Sequence, residues 1–199
     1  MLLACLGVAA GGLFGASLLE AQEKGSPLIV PGQSIGEIRL EMGLTEVTKK
    51  LGEAATGEGA AGRAWDAWFA RKEGGGRGYE LTIYSHAAER DKEVRAIRAE
   101  SPFFHTKENV GTKSSLADVW KAFPELRYAN NDPHDKAVEV YMDDANGLAI
   151  EVRRTQTSAD AESPPGAWGV CQAIIVFPPN TFPDGGSPQI RSMRDMPDE

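Results

Sequence analysis

The phrase "GLTEVTKKLG" (residues 43–52) returns, in altered spelling, as "SSLADVWKAF" (residues 114–123). Leu44, Val47 and Leu51 have the spacing of one face of a short helix, and Leu116, Val119 and Phe123 repeat it at a constant offset. The end signals correspond as well. Gly43 and Ser115 stand at the N-cap, Glu46 and Asp118 follow three residues later, and Gly52 and Pro124 stop the helices. A chain that opens two helices the same way is constrained toward two similar building units.

Each helical phrase is followed by three segments that read as strands. They are 64–72, 79–85 and 93–100 after the first, and 136–142, 147–154 and 170–177 after the second. Asn146-Gly147 marks a tight hairpin turn, and Val94, Ile97 and Ala99 line up with Cys171, Ile174 and Val176. The predicted fold is therefore α+β. It consists of two tandem repeats, each a helix plus a three-stranded antiparallel meander, with the helices packed on one face of the sheet. The expected boundaries are a signal peptide or membrane anchor at 1–21, an extended arm at 22–34, repeats at 35–104 and 105–178, and a disordered tail at 179–199. Alternation aims Val138, Val140 and Met142 at the helices and leaves Glu139 and Tyr141 on a wet face. In the next strand Leu148, Ile150 and Val152 face the helices, opposite Ala149, Glu151 and Arg153.

The net charge of −8, with basic residues scattered, argues against a nucleic-acid partner. Residues 1–19 carry no charge and precede a polar stretch, the outline of a secretory leader cleaved after Ala21. An uncleaved anchor is the alternative, since the run is about long enough to span a bilayer. "LLAC" (2–5) has the form of a lipid-attachment signal at Cys5, although the apolar run follows that Cys instead of preceding it. The expected location is periplasmic or secreted, with membrane contact only through the N-terminal segment if it is retained. Once a leader is removed, Cys171 has no disulfide partner within the chain, so an ordinary core must hold the fold.

No catalytic, metal or cofactor motif emerges, and a non-enzymatic protein is expected. His86, His105 and His134 fall in no metal-binding spacing. Cys171 lies in an apolar strand, unlike a reactive thiol. "MDDANG" (142–147) lacks the acidic spacing of a calcium loop, and the Gly-rich stretches lack the ending of a phosphate loop. The aromatic residues carry more. Trp65 and Trp68 are three apart in a strand and so point to opposite faces unless a bulge intervenes. Placing Trp68 outside with Tyr84, Tyr141, Glu139 and Arg153 yields an aromatic and charged sheet face, the make-up of a surface that binds a protein or cell-envelope component. Two alternatives stay open: a hydrolase with its site in the cleft between repeats, and a structural envelope lipoprotein held through Cys5.

The stretches "IRLEMGLTEVTKKLG" (38–52) and "HTKENVGTKSSLADVWKAFPE" (105–125) give the chain its resemblance to the beta-lactamase-inhibitor-protein-like fold and its relative, the small outer-membrane lipoprotein of the barrel-assembly machinery. It extends over about residues 30–177. Glu41 and Asn109 stand where such phrases usually have Gly. The resemblance implies a binding protein and assigns no site residue.

Overall fold

A computed structural model describes residues 26–71, 77–131, 137–154 and 169–182. The expected leader with Cys5, His134 and the tail from 183 onward lie outside the described residues. The chain opens with three short strands, β1 (Leu28–Val30), β2 (Ser34–Ile35) and β3 (Ile38–Arg39), before helix α1 (Leu44–Leu51). Four strands follow: β4 (Thr56–Ala60), β5 (Arg63–Arg71), β6 (Arg77–Ala87) and β7 (Lys92–Ala99). After β8 (His105–Thr106) and helix α2 (Leu116–Ala122) come β9 (Arg127–Asn131), β10 (Val138–Asp143), β11 (Leu148–Arg154) and β12 (Gly169–Val176).

The fold is mostly β, and this overturns the expected pair of helix-plus-three-strand repeats. One antiparallel sheet of eight strands runs β4-β5-β6-β7-β12-β11-β10-β9, and a second sheet of four runs β3-β2-β1-β8. Both additions are hard to see in sequence for a physical reason. Strands β4 ("TGEGA") and β9 ("RYANN") are the two edges of the large sheet. All five residues of β4 are exposed. A period of two becomes visible only when one face is buried, and β4 buries neither. The small sheet is built from strands of two or three residues, too short to show any period. Within it β1 pairs in parallel with β8, so the arm is tied to a segment far along the chain.

The helices match expectation closely. In α1, Val47 is buried, and Leu44 and Leu51 pack against the core. In α2, Leu116 and Val119 are buried, and Phe123 packs beside them. Both helices lie over one face of the large sheet, where Ile83, Ile97, Ile150 and Ile174 form the main core with them. The halves of the sheet join along β7 and β12, with Ile97 opposite Val176 and Ala99 opposite Ile174.

The opposite face is not wet. Tyr84, Ala96, Val140, Ala149, Ile175 and Phe177 form a second buried cluster there. The same face carries Arg98 and Glu151, both almost fully buried, in a bidentate pair: Nε to Oε1 at 3.1 Å and Nη2 to Oε2 at 2.7 Å. Burial disfavours the Arg98 cation, but the charge and hydrogen bonds of Glu151, with Glu100 adding to them, outweigh it and raise the pKa. Burial on both faces also explains why the orientation of β10 is the reverse of that expected. All six of its residues are buried, so hydrophobicity does not choose a side. Register chooses instead: Tyr141 lies opposite Ile150 on the helix side, and Met142 lies opposite Ala149 on the other.

Phe182 packs edge-on against Phe177, with ring centroids 5.1 Å apart, and its N–H donates to Asp144 at 2.9 Å. Phe182, within the expected disordered tail, is thus part of the core. Among the described residues, no helix is long and apolar enough to cross a membrane.

Candidate functional site

The outer end of the second half holds an open pocket. It begins with the way α2 stops. The helix buries Leu116 and Val119, which leaves Trp120 on its flank. Phe123 and Pro124 then turn the chain, and Arg127 braces the turn by donating to the carbonyls of Pro124 at 2.8 Å and Leu126 at 2.9 Å. The chain enters β9 with Tyr128 on the edge strand, 54% exposed.

Tyr128 lies directly opposite Tyr141 of β10, next to a register shift between Val140 and Tyr141. The Tyr141 ring meets Trp120 at 5.9 Å and 85°, and Tyr128 at 6.0 Å and 73°. These edge-on angles set the rings as walls at right angles rather than as a stack. Trp120, Tyr128, Tyr141 and Glu139 line a pocket of about 570 Å3, which Pro124, Leu126 and Arg127 complete.

Glu139 is two residues before Tyr141 and therefore on the same face. Its Oε2 accepts from the Tyr141 hydroxyl at 2.9 Å, and its Oε1 accepts from Arg154 Nε at 2.8 Å and from Arg154 Nη2. Glu139 is opposite Val152, which makes Arg154 its diagonal neighbour, a separation that long side chains span. Burial first, then donation to Glu139, pushes the Tyr141 hydroxyl well above the usual tyrosine range. Hydrogen bonding to Glu139 is the main reason the Arg154 pKa is raised. The charge of that carboxylate adds to it, and Tyr141 and Tyr128 contribute less.

The five residues expected to share an open face are distributed over both faces. Trp68 is in the main core beneath α1, where its indole N–H donates to the Gly52 carbonyl at 3.1 Å. Trp65 does lie on the opposite side, packed against the second cluster. Tyr84 is fully buried on that second face, with its hydroxyl 2.9 Å from His86 Nε2. Arg153 faces away from Glu139 and donates to Gln172 at 2.9 Å. Only Glu139 and Tyr141 come together, and Tyr141 is buried under α2 rather than open. Sequence reasoning missed Trp120, Tyr128 and Arg154. Arg154 was within reach of it: Val152 faces the core, so strand alternation puts residue 154, and not 153, on the same side as Glu139 once the pairing is known.

Among the described residues, no group of three His, Cys, Asp or Glu is placed to hold a metal ion. Cys171 is buried, and burial pushes its thiol up to about 12. The junction of the halves, named in the hydrolase alternative, is the hydrogen-bonded β7–β12 ladder.

No protein-family model and no curated protein matches the chain. Among solved structures it is similar to the uncharacterized protein YfeY of Escherichia coli, with 11% identity and a TM-score of 0.51, over 74% of this chain and 98% of that one. At that identity the likeness concerns the fold alone. A cysteine-rich secretory protein of Staphylococcus aureus aligns more weakly, with 10% identity and a TM-score of 0.41, over 78% of this chain and 48% of that one.

Proposed function

We propose that this is an exported, non-enzymatic binding protein that engages a segment of a protein partner at the outer end of its second half. The observation that carries the reading is the pocket of about 570 Å3 lined by three aromatic rings and a carboxylate held in place. Tyr128 is the exposed ring of the three, and aromatic side chains lining a pocket beside a rigid polar group are the usual composition of a binding hot spot. The chemistry suits recognition more than turnover. Glu139 is held by Arg154 and Tyr141, and the Tyr141 hydroxyl, pushed well above the usual tyrosine range, is not poised to give up a proton. Strand β9 forms the edge of the sheet beside the pocket, a position where an extended segment adds a strand while one of its side chains enters a pocket. Export rests on the uncharged N-terminal run, and the resemblance of the helix-opening phrases to beta-lactamase-inhibitor-protein-like proteins supports a binding role.

The test is a comparative pull-down from envelope extract, using the native protein and Tyr128→Ala. The reading expects a partner retained by the native protein and lost by the variant, with circular dichroism unchanged. Equal retention by both proteins overturns it.

A further inference from the structure

We propose that the pocket is a cage for an organic cation, the guanidinium or ammonium head of a basic side chain on the protein partner, and that Arg154 is its built-in competitor. The inference rests on the binding reading above and assigns the chemistry of the ligand.

The first support is the wall material. Trp and Tyr rings present negative faces to a cation, and several rings set across one another hold one better than a single flat platform does. Trp120 and Tyr128 each meet Tyr141 edge-on, and all three line the pocket. The second support is the carboxylate. Glu139 lines the same pocket, its side chain is 11% exposed, and Tyr141 and Arg154 orient it. A carboxylate has about four acceptor positions, so a further donor can still be accepted. The third support is that the carboxylate itself already takes a guanidinium, while the cation that lines the pocket, Arg127, is held by the Pro124 and Leu126 carbonyls and by Glu125. Arg154 holds Glu139 through two of its nitrogens, while its own side chain remains 51% exposed. The Arg154 side of the pair is open to solvent, which weakens it, so an incoming cation can exchange with it. The net charge of −8 also steers basic partners toward the protein.

Titration calorimetry on the full chain tests this with N-acetyl-arginine amide, tetramethylammonium and inorganic phosphate as probes. Arg154→Gln vacates the carboxylate. It is expected to bind the arginine amide about fivefold more tightly than the native protein, the factor that about 1 kcal/mol of ion pairing corresponds to. Arg154→Lys, which keeps a weaker monodentate competitor, is expected to fall between them. Adding Glu139→Gln or Tyr128→Ala to Arg154→Gln should remove the gain. Unchanged or weaker cation binding in both Arg154 variants overturns the proposal, and so does preferential binding of phosphate. If cations fail to bind while the Tyr128→Ala pull-down still loses its partner, the cage chemistry is wrong and the docking site stands. If the pull-down is also unaffected, the docking site itself is wrong.

Discussion

In the first half of the large sheet, the N-terminus of α1 is closed by a carboxylate from 46 residues away. The Thr45 N–H donates to Asp91 Oδ2 at 2.9 Å. In the second half, α2 closes itself: the Asp118 N–H donates to Ser115 Oγ at 3.1 Å, and Ser115 Oγ donates to the Asp118 carboxylate at 2.6 Å. The difference begins with one residue. Gly43 has no side chain to cap with, and a Cβ there would come within 2.7 Å of Asp91 Oδ2. The glycine that forfeits the local cap also makes room for the remote one. The far ends of the helices differ in the same spirit. Beneath α1 the space is plugged by Trp68, hydrogen-bonded to the last turn through Gly52. Beside the end of α2 the corresponding aromatics line an open pocket. The first half buries its aromatic bulk in the core, and the second leaves part of it lining a pocket.

Trp68→Ala should have the largest effect. Removing a buried Trp costs about 3–5 kcal/mol, to be read from urea unfolding. Tyr128→Ala, on the exposed edge of the other half, should cost less than about 0.5 kcal/mol in the same assay. Equal losses would show that the pocket is core and not site. Next is Glu151→Ala, which leaves Arg98 of the first half buried with Glu100 as its remaining carboxylate partner among the described residues. Breaking a buried pair from one side costs about 3 kcal/mol or more, and equilibrium unfolding measures it.

The caps come third. Asp91→Ala and Ser115→Ala should each cost about 1 kcal/mol. Gly43→Ser should destabilise the native protein, because its Cβ displaces Asp91, and should stabilise Asp91→Ala by restoring a local cap. A double-mutant cycle by thermal unfolding reads that change of sign. The same cap has a pH signature. The Thr45 N–H is the main reason the Asp91 pKa lies below its ordinary 3.8. A folded pKa below the unfolded one gives stability that is complete above about pH 4 and is lost as pH falls through the folded value. Asp91→Asn should remove that part of the acid destabilisation, whereas Ser115→Ala should leave it intact.

The smallest effect concerns a feature that the halves share. Glu41 and Lys113, each two residues before a helix cap, have φ of 63° and 77°. The left-handed region costs a non-glycine residue about 1–2 kcal/mol, and glycine returns part of that as chain entropy. Glu41→Gly and Lys113→Gly should therefore each raise stability by about 0.5 kcal/mol, visible as a small rise in Tm. A loss in either half would mean that the side chain holds a contact worth more than the strain. Asn109, with φ of 62°, is a third such position, and Asn tolerates this conformation better. Glu41 and Asn109 are the two places where the sequence departs from an expected glycine, and both have the backbone that glycine favours.

Legibility followed the range of the interaction. The α1 span, the Ser115 cap and the Gly147 turn were readable because each depends on residues within a few positions of one another. The candidate site was half readable. Glu139 and Tyr141 share a face by simple alternation, and their 2.9 Å hydrogen bond follows from it. Arg154 and Tyr128 join them only through strand register, and Trp120 only through the seating of α2 on the sheet.

Local chemistry in the chain sets where the two helices begin and stop and the tight turn before β11. Those outcomes need only neighbouring residues. Tertiary packing sets the rest: the edge strands β4 and β9, the small sheet that ties the arm to β8, the cap on α1 from Asp91, and the side to which β10 turns Tyr141. Each of these pairs groups far apart in the chain. In β10 both faces are buried, so two orientations bury nearly the same apolar surface. The hydrophobic pattern cannot separate them, and hydrogen-bond register against β9 and β11 does.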